Sequence, residues 1–439
     1  MVTPLGKSRI NGVIRSNDGV CMLVGVGYSD TPDTWAAGCR AAAEALEEAR
    51  GRAKAGAQPW EGTGEDALGP CDFVLLFSTA NHDPELLRDA VRSVLGGGVP
   101  VAGGGASGAI CNDRFGYAGN QIVLAAFWFS RVRLDFYAER DVTVDEGDVG
   151  ARLGRRMAEN GVTPATPVLL FFDAINRTRG DVRLVQATSL LGGLEKGLGF
   201  SPVIMGAGMQ GDYFATPTRQ WAGQEIINHS TLALSFSGGV RVDHAIMHGC
   251  RPATGYYTVT RAEGQTILEI NGKPALSFIG DILGEGTAPE DLPFFLILGI
   301  NKGDKWGVFD EKSYVNHLCL AIDKDRDGIV MFESDMVAGT EFQIMYRSLE
   351  LDYMAPKIEQ LFDDLEDRVP VFALYIDCAG RAAGYGGIDM EDAVMVQKTL
   401  NGRAPLLGIY TGVELASVEG SPRGLDWTGV FCLFSMPKS

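Results

Sequence analysis

Short, continuous apolar runs bounded by Gly, Pro and acidic residues recur along the chain, and between them lie stretches whose apolar residues fall on one helix face. Three of these runs resemble one another. VLLFSTANHD (Val74 to Asp83) leads into GVPVAGGGASG, VLLFFDAINR (Val168 to Arg177) leads into SPVIMGAGMQG, and VFALYIDCAGR (Val371 to Arg381) leads into APLLGIYTGVE. Each copy closes on an apolar strand ending in Phe127, Phe236 or Phe434. The pattern predicts three strand–helix–strand repeats, spanning about 72–139, 167–240 and 370–436.

Within this frame the punctuation places individual elements. VCMLVGVGYS (Val20 to Ser29) reads as a strand, and Asp30, Thr31 and Pro32 mark the start of a helix rich in Ala and Glu. Asp83 and Pro84 open a second helix, helices are expected over about 148–160 and 181–197, and Gly199 ends the latter. The apolar register changes near Ala245 to Tyr256, which divides the chain into residues 1–245 and 246–439. The second part opens on alternating strands GYYTVTR and TILEIN, with turns at Glu263-Gly264 and Asn271-Gly272. The fold class expected is mixed α/β (α+β), with largely antiparallel mixed sheets flanked by helices.

Composition narrows the function. A chain of 439 residues with 46% hydrophobic and 21% charged residues is that of a globular protein, and a net charge of -18 opposes binding to nucleic acid. Eight scattered cysteines without a C-x-x-C pair read as reduced thiols. The N-terminus lacks the apolar core of a signal peptide and no stretch is long enough to span a membrane, so a cytoplasmic location is the default expectation.

Several motifs fail on their context. Gly103, Gly105 and Gly108, and again Gly206, Gly208 and Gly211, fit G-x-G-x-x-G after a strand, but neither triplet is followed by a helix that could present its N-terminus to phosphate. Two copies at equivalent positions read instead as structural turns at strand ends. DKDRDG (Asp323 to Gly328) starts like a calcium loop, yet its twelfth position is Ser334, with Glu333 one place early, so a hairpin turn is expected. His82, His229, His244, His248 and His317 show no zinc spacing, and no metal site is assigned.

Taken together, VLLFSTANHDPELLRDAVRS with PVAGGGASG, LLGGLEKGLGFSPVIMGAGMQGD, TVTRAEGQTILEINGKPAL, IDCAGR and PLLGIYTGVELASV resemble, in that order, the FIST family of sensory domains. The likeness covers nearly the whole chain. It departs from the family where Val413 precedes Glu414 and where Asp426, Trp427 and Thr428 stand at the last motif. The resemblance implies a non-enzymatic sensor of small molecules, with amino acids proposed as ligands and a signalling protein as a possible partner. Some family members are similar to haem-binding gas sensors, so haem is an alternative; no other cofactor is expected.

Candidate ligand contacts cluster where the repeats' strands end: Asn176, Arg177, Gly211, Asp212, Asp377, Cys378, Arg381, Thr411 and Glu414. Arg381 or Arg177 would clamp a carboxylate and Asp212 or Glu414 an ammonium, with glycine N–H groups serving remaining acceptors. Two other readings are a partner-binding scaffold and an enzyme using Cys378 as nucleophile.

Overall fold

The computed structural model describes residues 9–11, 21–56, 68–176, 183–214, 216, 218–284, 286–387 and 389–438. The mixed α/β expectation holds: helices flank several mixed, mostly antiparallel sheets. Three units share one plan. Each opens on a strand (Cys21–Ser29, Arg133–Arg140, Arg241–Met247), and each contains a parallel pair: Phe73–Ser78 with Val101–Gly105, Val168–Asp173 with Ile204–Met209, Arg368–Cys378 with Leu406–Thr411. Each closes on a long apolar strand between the first two (Ile122–Ser130, Ser230–Ser237, Gly429–Pro437). Strand Arg133–Arg140, which the sequence pattern assigns to the first repeat, therefore opens the second unit's sheet.

The strand that follows each parallel pair leaves its own sheet and joins a neighbour's. Gly108–Cys111 of the first unit pairs with Leu406–Thr411 of the third, Gln220–Gly223 of the second pairs with Val101–Gly105 of the first, and Val413–Val418 of the third pairs with Ile204–Met209 of the second. The exchange is cyclic and closed, so the outer member of every parallel pair is covered rather than left as a free edge.

The sheets' inner faces meet in a shared apolar core. Three aromatic contacts stitch it together, each between two different units: Phe77 with Phe171 (ring centroids 5.2 Å apart), Phe236 with Phe434 (5.6 Å) and Phe127 with Phe372 (5.3 Å). The outer faces carry helix pairs, Thr34–Lys54 with Pro84–Leu95, Glu146–Glu159 with Ala187–Leu198, and Met354–Asp363 with Asp392–Leu400. Their starts follow local chemistry: Asp33, Asp83 and Asp145 each accept the backbone N–H three residues on.

The glycine strings are not turns. Gly103 to Gly105 lie inside strand Val101–Gly105, and Gly206 and Gly208 inside Ile204–Met209. Gly103 and Gly206 adopt φ of 130° and 157°, and a Cβ there would sit 1.9 Å from the Leu76 carbonyl oxygen and 1.8 Å from that of Leu170. Glycine is thus demanded by close approach of the parallel strands.

Between strand Arg241–Met247 and helix Met354–Asp363 the chain inserts a further sheet. Its strands run from Cys250–Pro252 to Glu341–Arg347, and pairing of Glu341–Arg347 with both Tyr257–Glu263 and Ile297–Asn301 closes it into a barrel with its own core. Asp323 to Gly328 form a hairpin turn of this barrel, with the Asp323 carboxylate accepting from the Arg326 backbone and guanidinium. Among the described residues no group of side chains is arranged to hold a metal ion, and no helix is long and apolar enough to cross a membrane.

Candidate functional site

The third unit's parallel strands end in a buried, charged centre. Apolar residues carry strand Arg368–Cys378 through the core, and Asp377 is its last buried acid before a short helical turn brings Arg381 back beside it. All five N–H groups of Arg381 are engaged. Nε donates to Asp377 Oδ1 (3.2 Å), Nη1 to the carbonyls of His248 (3.0 Å) and Trp427 (3.3 Å), and Nη2 to the Tyr353 hydroxyl (2.9 Å) and to Asp392 Oδ2. Arg381 therefore ties the barrel's entry and the third unit together, and it has no donor left for a ligand carboxylate.

One guanidinium faces more than one carboxylate. Burial, then the Asp392 charge, push the Asp377 carboxyl far above its ordinary range, outweighing Arg381. Neighbouring Glu391 accepts from the hydroxyls of Tyr117 (2.8 Å) and Tyr410 (3.0 Å) and from the Ala383 backbone (2.8 Å), anchoring the chain at the end of the exchanged strand. Tyr213 of the second unit stacks on Tyr385 at 4.0 Å and donates to the Ala379 carbonyl, so all three units meet here.

The other sequence-derived candidates divide. Thr411 pairs in register with Cys378 and its hydroxyl donates to the Gly208 carbonyl. Glu414 is fully buried, accepts from the Thr428 backbone through Oε2 and leaves Oε1 without a partner; burial and Asp426 drive its carboxyl far up. Burial, then Glu414, also push the Cys378 thiol well above normal, which removes the electrostatic support for a thiolate nucleophile. Asp212 does not offer a free carboxylate: it accepts from the backbone of Phe214 and Thr216 and from the Thr216 hydroxyl, closing its own loop. Gly211 is held by backbone bonds to Thr216 and Ala80. Asn176 lies in a short ribbon with Arg183–Leu184, and Arg177 lies outside the described residues.

Residues that the motifs did not single out complete the site. A narrow cleft with about 20 Å³ of accessible space lies at this centre, lined by Arg347, Leu349, Leu351, Trp427 and Asp392. Asp392 is fully buried, and its Oδ1 has no hydrogen-bond partner. Arg347 lies over the Trp427 ring at 3.5 Å, donates through Nη2 to the Phe294 and Phe295 carbonyls, and keeps a buried, unpartnered Nε. Trp427 adopts φ of 54°, a costly conformation for a bulky residue, which turns its indole under Arg347. The sequence signal for Asp392 was the acidic run Asp389-Met390-Glu391-Asp392 opening a helix, and that for Trp427 its place in the departing last motif; Arg347 carried none.

A second buried network joins the barrel to the core. His317 Nε2 lies 3.0 Å from Asp335 and Nδ1 3.8 Å from Asp426. Burial alone would lower the imidazole pKa, but the two carboxylates raise it to about 10, favouring the cationic form. Glu333 accepts from the Ala187 and Thr188 backbone N–H groups, capping a helix whose own N-cap, Gln186, makes no such bond.

The histidines do not fit haem ligation well. His82 bonds Thr34 and the Asn120 carbonyl, His244 the Ser417 carbonyl, His248 the Glu311 carbonyl and the Cys250 N–H, and His317 faces two carboxylates. His229 Nδ1 lies 3.3 Å from Asp173, and its ring stays partly exposed.

Comparison with known proteins agrees with the repeated architecture. The chain is 25% identical over 236 residues to the uncharacterized protein Rv0628c of Mycobacterium tuberculosis and, at the same identity, to the uncharacterized protein Mb0898c of Mycobacterium bovis. Each match covers 53% of this chain and 59% of the relative, so the chain spans less than two thirds of their length. The FIST N domain matches residues 72–273 and the FIST C domain residues 275–417. Covering most of the chain between them, these two matches show that it belongs to the FIST family, whose domains are associated with sensory and signal-transduction functions.

Proposed function

We propose that this protein is a sensor that binds a free amino acid through Arg347 and Asp392, the narrow cleft that they line widening to admit it. One observation carries the reading: a buried carboxylate oxygen and a buried guanidinium N–H, both without protein partners, belong to the same small cleft. Buried polar groups are ordinarily satisfied, and an unpaired acceptor and an unpaired donor on residues lining one cleft match the ammonium and carboxylate of a zwitterion. Asp392 takes the ammonium and Arg347 the carboxylate, with the Trp427 ring beneath the guanidinium. Each charged contact contributes about 1.5–3 kcal/mol. Arg381 acts as a positioning residue, holding Asp392 while its own donors are spent.

Isothermal titration of the purified chain with a panel of amino acids tests this. Binding is expected for the zwitterions and is lost, by at least about tenfold, in Asp392→Asn and in Arg347→Met. Undiminished affinity in both variants would sink the assignment. Signalling through a partner protein fits the family's association, and the ligand-bound form is the one to use as bait.

A further inference from the structure

Independently of that cleft, we infer that Tyr256, Trp306 and Glu341 form a second binding site, at one end of the barrel, for a methylated ammonium group, and that Lys305 occupies it in the ligand's absence. Three parts of the barrel converge there. Tyr256 precedes strand Tyr257–Glu263, Glu341 opens strand Glu341–Arg347, which pairs with it, and Trp306 lies in the loop after strand Ile297–Asn301. The two rings stand edge to face, 73° apart with centroids at 6.2 Å. Lys305 Nζ lies 4.8 Å from the Tyr256 centroid and 5.2 Å from that of Trp306, and donates to Glu341 Oε1 (2.6 Å). Two aromatic faces and a carboxylate around one ammonium are the elements of a cation-recognition site.

The walls are held by bonds that do not involve the cation. The Tyr256 hydroxyl accepts from Asn301 Nδ2 (3.0 Å) and donates to the Lys305 carbonyl (3.2 Å), and Asp304 Oδ1 accepts the Trp306 N–H (3.0 Å). A loop set in this way presents its indole at little further ordering cost. Trp306 is nevertheless 83% exposed, so Lys305 covers little of it. A ligand's N-methyl groups would cover more and gain from burial. The lysine ammonium is a compact, strongly hydrated charge, whereas methylation spreads the charge and weakens its hydration. A methylated ammonium therefore gives up less on leaving water, and it displaces Lys305, whose side chain returns to solvent.

Choline and a trimethyl-lysine peptide carry this group from two sources, a free metabolite and a protein tail. Saturation-transfer NMR on their N-methyl protons reads binding to the intact protein, with the uncharged tert-butyl isostere of choline as the control. At least one of the two should bind, at least about tenfold tighter than the isostere. Trp306→Leu, at an exposed position, should weaken that binding at least about tenfold, and Lys305→Met, which empties the corner, should tighten it at least about threefold. Binding of choline alone, or of the peptide alone, supports the site and names its source. Equal binding of the isostere, undiminished binding in Trp306→Leu, or no binding of either probe even to Lys305→Met overturns it. None of these outcomes bears on Arg347 and Asp392.

Discussion

The second and third units end their first parallel strand on buried aspartates, yet the two carboxylates live differently. Asp173 closes strand Val168–Asp173 and is answered mainly by backbone: Oδ1 accepts from Ile175 (3.2 Å) and Thr218 (3.4 Å), and Oδ2 from His229 (3.3 Å). Asp377, near the end of strand Arg368–Cys378, is answered by a side chain, Arg381, which it shares with Asp392. Backbone donors arrive with the loop and leave nothing over. A shared guanidinium leaves surplus acceptors, and one of them, Oδ1, belongs to Asp392, a residue that lines a cleft. A duplicated strand end thus becomes a candidate site where its charge balance is left incomplete.

The sharpest way to break this comparison is Arg381→Met. It leaves Asp377 and Asp392 buried without their cation and is expected to cost about 3–5 kcal/mol in urea unfolding. A loss below about 1 kcal/mol would mean that the third centre does not depend on its guanidinium.

Next in size is the pH dependence of the second unit. Burial raises the Asp173 pKa from 3.8 to about 6, against the pull of its backbone bonds and of His229. The folded protein therefore keeps a proton that the unfolded chain has lost between those values. That contribution is fully present below pH 3.8 and is lost as pH rises through about 6, a fall of up to about 3 kcal/mol. Asp377 and Glu414, also raised, add slope of the same sign. Asp173→Asn should flatten the stability curve between about pH 4 and 6 while leaving amino-acid binding intact; an unaltered curve would contradict the assignment.

The smallest expected effect is that of His229→Asn. The residue has φ of 49°, which asparagine tolerates, and the substitution keeps the N–H that Asp173 accepts. Thermal unfolding should register under about 1 kcal/mol, in contrast to Arg381→Met.

Much of the architecture was legible along the chain. Asp83-Pro84 and Gly199 mark helix ends through bonds formed within a few residues, and the apolar runs mark strands through burial on both faces. The cyclic strand exchange was not legible. Gly108–Cys111 and Gln220–Gly223 are short segments whose pairing partners lie in other units, so no local pattern names them. The glycine strings read as turns for a related reason: the Leu76 and Leu170 carbonyls that exclude a side chain belong to neighbouring strands.

The candidate site divides along the same line. Asp377, Arg381 and Glu414 could be singled out because they stand at strand ends in a recognisable repeat, and Asp377 and Arg381 do meet. Arg381 could not be known to be saturated, since its acceptors come from positions as far apart as His248, Tyr353, Asp392 and Trp427. Asp392 and Arg347 acquire their significance from having no partner, and that is a property of the folded surroundings. The sequence by itself determined the repeats, the elements and the acidic character of the strand ends, because propensity and patterning act over a few residues. Only the tertiary structure decided which charges are spent and which stay open, because hydrogen-bond satisfaction in a buried centre depends on groups brought together across the whole chain.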